Sequence, residues 1–262
     1  MLYALAFAVP PARHLDSVLF RRVSGSDLTT IARVGSHALR TIDVGSVALA
    51  GVALVLVAAR RGRGGRALAV GVSIGAAIAT TELLKTALAP LDRRFAPGRG
   101  AVWESSFPSG HATVAMALAL GAIVSAPRVL RAAVAVVGAA YAAGIGLSLV
   151  ALGWHYPSDV VGGYVVAAAW CAAGLALVRR RGETAERRGL ALRHERLGLV
   201  LGAALAAAFV AVLAVTLARH PEFTHALRLR RSTLGTAAVV GVASIVLAAG
   251  TMRLAREPVT RP

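Results

Sequence analysis

Acidic residues, lysine and cysteine are all scarce in this chain. Of its 262 residues, 12 are Asp or Glu against 29 Lys or Arg, for a formal net charge of +17. The one cysteine, Cys171, excludes an internal disulfide. No Cys/His cluster has the spacing of a metal site. Cys171 lies inside an apolar run and reads as a small core residue. Met1–Val9 is apolar but lacks the basic n-region of a signal peptide, and it is too short to span a bilayer before Pro10-Pro11 ends it. It reads as an interfacial segment or as the tail of a span whose beginning this chain lacks. Lysine is scarcer still: Lys85 is the single lysine among the 29 basic residues. A chain that otherwise uses arginine places one compact ammonium near the end of an apolar run, where chance or a need for a point charge accounts for it.

Hydrophobic residues are abundant, at 57% with mean hydropathy +0.69. That excludes an ordinary soluble domain. Apolar runs near 44–60, 67–89, 111–126, 129–151, 158–178, 198–218 and 232–252 approach the roughly 20 residues that cross a ~30 Å hydrocarbon core as a helix. The expected fold is all-α, a polytopic membrane bundle of about seven transmembrane helices. The run at 111–126 is short, so it is expected to be tilted, extended or sheltered. The organisation reads as a surface or interfacial segment (1–43), a membrane core (44–180), a basic linker (181–197), a C-terminal hairpin (198–252) and a tail (253–262).

The excess charge sits in short loops, such as Arg60-Arg61-Gly62-Arg63 and Arg179-Arg180-Arg181. This is the positive-inside pattern, not a nucleic-acid surface. The expected partners are therefore membrane lipids, with no nucleic acid. Loops 60–66, 127–131 and 179–197 and the tail read as cytoplasmic, which puts 90–110 and 152–157 on the other side. Arg219, Arg228, Arg230 and Arg231 depart from the pattern. Nothing in the sequence speaks to oligomeric state.

Two strings on the non-cytoplasmic side carry chemistry. In His155-Tyr156-Pro157-Ser158-Asp159, Pro157 suits the first position of a helix and Asp159 falls in its first turn. The carboxylate can then orient the imidazole, as in a Ser-His-Asp triad, and a histidine so held is a nucleophile for phosphorus. An N-capping aspartate beside an interfacial His-Tyr pair is the plainer reading. In Pro108-Ser109-Gly110-His111, Ser109 can donate its hydroxyl, Gly110 admits an anion close to the backbone, and His111 can act as a general acid. An ordinary N-cap followed by a histidine is the alternative. Both strings start helices, whose free N–H groups suit a phosphate. Lys85 has Glu82 three residues before it, on the same helix face, with Arg93 and Arg94 beyond. A snorkelling lysine with boundary arginines would look the same.

In order, Lys85…Arg93, Pro108-Ser109-Gly110-His111 and Ser148…His155…Asp159 resemble the type-2 phosphatidic acid phosphatase (PAP2) family. This is the membrane branch of the superfamily shared with vanadium haloperoxidases. Its pattern is a lysine followed by Arg-Pro, then Pro-Ser-Gly-His, then Ser-Arg-x5-His-x3-Asp. The second motif matches fully. The third matches at Ser148, His155 and Asp159, but Leu149 replaces its arginine. In the first, the family spacing points to Asp92, and Arg93 comes one residue late without a proline. Arg94 or Arg99 can stand in.

The resemblance spans about 44–180. It implies a phosphatase for a lipid phosphate or pyrophosphate, acting at the outer face of the cell membrane without metal or cofactor. Lys85, Arg93 or Arg94, Ser109 and the Gly110 N–H would bind phosphate. His155 would attack phosphorus and form a phosphohistidine, Asp159 would orient it, and His111 would protonate the leaving group. Alternative readings are a lipid phosphotransferase with the same intermediate, or a non-catalytic lipid-phosphate binder or transporter, with Leu149 marking the altered site.

Overall fold

The structure is a computed structural model that describes residues 10–24, 36, 37, 39, 40, 42–60, 64–95, 107–180 and 231–255, with the side chains at 12, 13, 22, 89–95, 179, 180 and 231–234 left out. The described residues are helical, without a strand. The α-helices are α1 (Pro10–Ser24), α2 (Val44–Ala59), α3 (Gly64–Phe95), α4 (Gly110–Ser125), α5 (Arg131–Ala151), α6 (Pro157–Arg180) and α7 (Arg231–Leu254). Four stretches are long and apolar enough to cross a membrane: Gly64–Leu88, Arg128–Ala151, Pro157–Val178 and Gly235–Leu254. The expected span at 198–218 lies outside the described residues, as does most of 25–41.

Local signals set the helix ends. Asp43 caps α2, accepting the N–H groups of Gly45 (2.7 Å) and Ser46 (3.1 Å), while the Ser46 hydroxyl accepts the Asp43 N–H. Those backbone bonds hold the Asp43 carboxyl below the usual carboxylate range. Prolines open α1 and α6, where a missing N–H does no harm. Helix α5 ends in a Schellman motif. Gly153 takes a left-handed φ of +71° and donates to Val150 O, and Trp154 N donates to Leu149 O.

The short run becomes α4, and the structure explains its length. From Ala112 to Ser125 every residue except Leu118 and Ala122 is buried. Helix α4 runs through the middle of the bundle, packed by α2, α3, α5, α6 and α7, so it is sheltered from lipid. The peripheral helices carry the exposed apolar faces, with Leu49 and Val52 on α2 and Val242 and Ile245 on α7. Such faces suit hydrocarbon rather than water.

Successive helices of the α2–α6 core run in opposite directions. The start of α5 meets the ends of α4 and α7, where Arg131 donates to Ala126 O (3.3 Å) and Ala255 O (2.8 Å). The ends of α2, α4, α6 and α7 and the starts of α3 and α5 therefore share one end of the bundle, with Arg60, Arg66, Arg128 and Arg131 among the described residues there. The start of α2, the Lys85 part of α3, the starts of α4 and α6 and the end of α5 share the other.

Candidate active site

Both histidine strings sit at that second end and are bonded to each other. The Ser109 N–H donates to the Asp159 carbonyl at 3.0 Å, so the turn before α4 is tied to the first turn of α6. Two glycines permit the contact. A Cβ at Gly163 would come within 2.6 Å of Ser109 O, and one at Gly162 within 2.6 Å of the Phe107 ring. Behind this turn a hydroxyl pair joins α3 to α4: Thr81 and Thr113 Oγ1 are 2.9 Å apart, and Thr113 Oγ1 donates to Ser109 O at 2.9 Å. All three residues are buried. The sequence reading missed Thr81 and Thr113; two hydroxyls within apolar helices were the available signal.

His155 follows the Schellman turn. Its N–H lies 3.3 Å from Leu149 O, the carbonyl that also accepts from Trp154. Position 149 thus holds the histidine through its backbone. The Leu149 side chain is fully buried in the core and does not line the cavity described below. His155 Nδ1 faces Asp159 Oδ2 at 3.6 Å, longer than a formed hydrogen bond. Such gaps commonly tighten when the reacting complex forms. Oδ2 also accepts the Tyr156 N–H at 3.0 Å, and the carboxylate is fully buried. With Nδ1 turned to the acid, Nε2 is the nitrogen left for chemistry.

The two helix starts, alike in sequence, differ in the structure. At α6 the N–H groups are occupied by carboxylates: Asp159 takes that of Tyr156, and Asp16 of α1 takes that of Ser158 at 3.0 Å. A phosphate has no place there, which corrects the expectation that both starts suit one. At α4, Ser109 is the N-cap and its Oγ accepts the Ala112 N–H at 3.4 Å. The N–H groups of Gly110 and His111 have no acceptor within the helix. Lys85 Nζ stands over this start, 3.0 Å from where a Cβ on Gly110 would lie. A Cβ there would press on the ammonium. Lys85 pairs with Glu82 at 2.7 Å.

His111 follows Gly110 at the start of α4, near Lys85 and His155. Its ring is 6.2 Å from that of Trp154. Arg93 and Arg94 belong to α3, but their side chains lie outside the described residues, as does Arg99. At about 100° per residue, position 92 returns to within about 20° of Lys85, whereas 93 is turned about 80° and 94 about 180°. Among the described residues, no three His, Cys, Asp or Glu side chains gather as a metal site would need.

A cavity of about 620 Å³ opens between α2, α3 and α4. Its mouth holds Asp43, Glu82, Lys85, Gly110 and His111, and its length is apolar, from Val47 and Ile78 to Gly75 and Leu56. His155 and Asp159 do not line it; His111 is the link between them and its mouth.

The PAP2 superfamily model matches residues 66–183. Residues 66–183, just under half of the chain, thus form a PAP2-superfamily stretch. No curated protein and no solved structure matches the chain. The PAP2 stretch contains Lys85, both histidine strings, α3 from Arg66 onward and α4 to α6, and the match supports a phosphatase. It begins at Arg66 rather than at residue 44, so α1, α2 and α7 lie outside it although α2 forms one wall of the cavity.

Proposed function

We propose that the protein is an integral membrane phosphatase for a lipid phosphate or pyrophosphate, acting through a phosphohistidine at the outer face of the cell membrane. One observation carries this reading. The apolar cavity ends at a mouth made by Lys85, the start of α4 and His111, so a molecule with a hydrocarbon tail and an anionic head matches both parts. The outer-face assignment draws support from Arg60, Arg66, Arg128 and Arg131, which among the described residues lie at the opposite end of the bundle.

Lys85 and the Gly110 and His111 N–H groups hold the phosphoryl oxygens and balance their charge. His155 Nε2 attacks phosphorus, forming the N–P bond as the P–O bond to the leaving group breaks. Asp159 stabilises the cationic imidazole. His111 gives a proton to the departing oxygen, then takes one from the water that attacks phosphorus. The N–P bond breaks, inorganic phosphate leaves and His155 is restored. Positive charge and nucleophile both come from the chain, so the proposed reaction has no metal-dependent step.

The test is phosphate release in detergent, with chelator, from phosphatidate, lysophosphatidate and a polyprenyl pyrophosphate. Release from at least one substrate that drops roughly 10³-fold or more in His155→Ala is the expected result. Acid-labile labelling of the wild type from a substrate carrying labelled phosphate marks the intermediate. Label appearing on an added alcohol instead of free phosphate would indicate transfer. Binding without His155-dependent release would overturn the enzyme reading.

A further inference from the structure

Helix α6 begins with an unusual deficit. Its N-cap position is Tyr156, which has no side-chain oxygen able to reach back to the first turn. Asp159, at the third helical position, supplies half of a capping box by accepting the Tyr156 N–H. The acceptor that an N-cap side chain would offer to a first-turn N–H comes instead from a different helix. Asp16 of α1 accepts the Ser158 N–H at 3.0 Å through Oδ1 and the Ser158 hydroxyl at 2.7 Å through Oδ2. Asp16 is 7% exposed. One helical turn further along α1, Phe20 stacks on Tyr156 with ring centroids 4.2 Å apart and 25° between planes. Phe20 also lies beside Gly153, where a Cβ would be 3.9 Å from its Cζ. Helix α1 therefore touches the turn between α5 and α6 on both sides of His155 in sequence.

We propose that α1 is a strap that sets the position of His155, with Asp16 and Phe20 as positioning residues. This rests on the reading of His155 as the nucleophile. Asp16 caps α6 from outside, so the first turn of α6 is held in the geometry that points Asp159 Oδ2 at His155 Nδ1. Phe20 clamps Tyr156, the residue between His155 and Pro157. The strap lies outside the PAP2 stretch, so the core supplies the reacting groups and a separate helix supplies their alignment. Small displacements of a reacting group lower the chemical step more than they lower binding.

The experiment compares Asp16→Ala, Asp16→Asn and Phe20→Ala with wild type in detergent, as kcat and KM per folded molecule. Folded fraction is taken from a thermal melt. Asp16→Ala is expected to lower kcat by roughly 10- to 100-fold with KM within about threefold. Asp16→Asn, which keeps an acceptor for the Ser158 N–H, is expected to recover most of kcat. Phe20→Ala is expected to lower kcat in the same manner. Hydrogen exchange over 152–160 gives a readout independent of turnover, and Asp16→Ala is expected to speed it locally. Unchanged kcat per folded molecule in Asp16→Ala, with wild-type exchange over 152–160, overturns the proposal. If His155→Ala releases phosphate as fast as wild type, the nucleophile reading fails instead. In that case faster exchange in Asp16→Ala still identifies the cap, and unaltered exchange removes it.

Discussion

Leu149 is enclosed on all sides, and its carbonyl holds the backbone of Trp154 and His155. An arginine at this position would place a charge among core side chains and enlarge a filled site. Overpacking alone costs about 1–3 kcal/mol, and an unpaired buried charge adds to it. Leu149→Arg is therefore expected to lower the detergent melting temperature and leave phosphate release no higher than wild type. A rise in release would show that the side chain reaches the phosphate after all. Lys85 has the opposite character. It stands over the start of α4 and touches Glu82, so the compact ammonium is already placed where a phosphate oxygen would arrive. The scarcity of lysine pointed to this residue, whereas nothing around Asp16 in the chain announces a cap for a helix 142 residues away.

Helix α2 contributes no reacting group, yet its apolar face and that of α3 enclose the cavity. Gly75 lines it, and a Cβ there would meet nothing within 4 Å, so a larger side chain enters open space. Gly75→Phe is expected to exclude about three methylenes of a bound tail. At ~0.8 kcal/mol each, this raises KM for a long-chain lipid phosphate roughly 50-fold. Hydrolysis of a short, water-soluble phosphate ester is expected to stay within about twofold of wild type. Equal losses on both substrates would place the tail elsewhere. The helix starts that carry the two histidine strings were legible in the chain. Pro108-Ser109-Gly110 and Pro157 are start signals that act within a few residues, and each lies at the start of a helix as its chemistry requires. The difference between the two helix starts was not legible, because the groups that occupy the α6 start include Asp16 from another helix.

At the scale of the whole molecule, the described reacting groups gather at one end of the bundle, opposite Arg60, Arg66, Arg128 and Arg131. Val44 is 89% exposed at the site end, and Gly64 is exposed at the arginine-rich end. In a Cys171→Ser background, an impermeant maleimide is expected to label Val44→Cys in intact cells. Gly64→Cys is expected to react only after permeabilisation. The reverse pattern would turn the site toward the cytoplasm. Helix α7 belongs to the same bundle as the PAP2 stretch, packing along α5 and α6 and touching α1, so the strap is itself supported from outside the family core.

The chain by itself determined the helical membrane class, the helix ends near the site and the residue types that meet there. These follow from run length, hydropathy and signals between near neighbours, all of which act locally. Tertiary structure decided which helix start stays open, that α4 is the central helix, and that Asp16 completes the turn beside His155. Apolar faces are interchangeable in hydrocarbon, so composition does not name their partners. Close approach at small residues and hydrogen bonds between distant segments select them, as at Gly163 against Ser109 and Thr81 against Thr113.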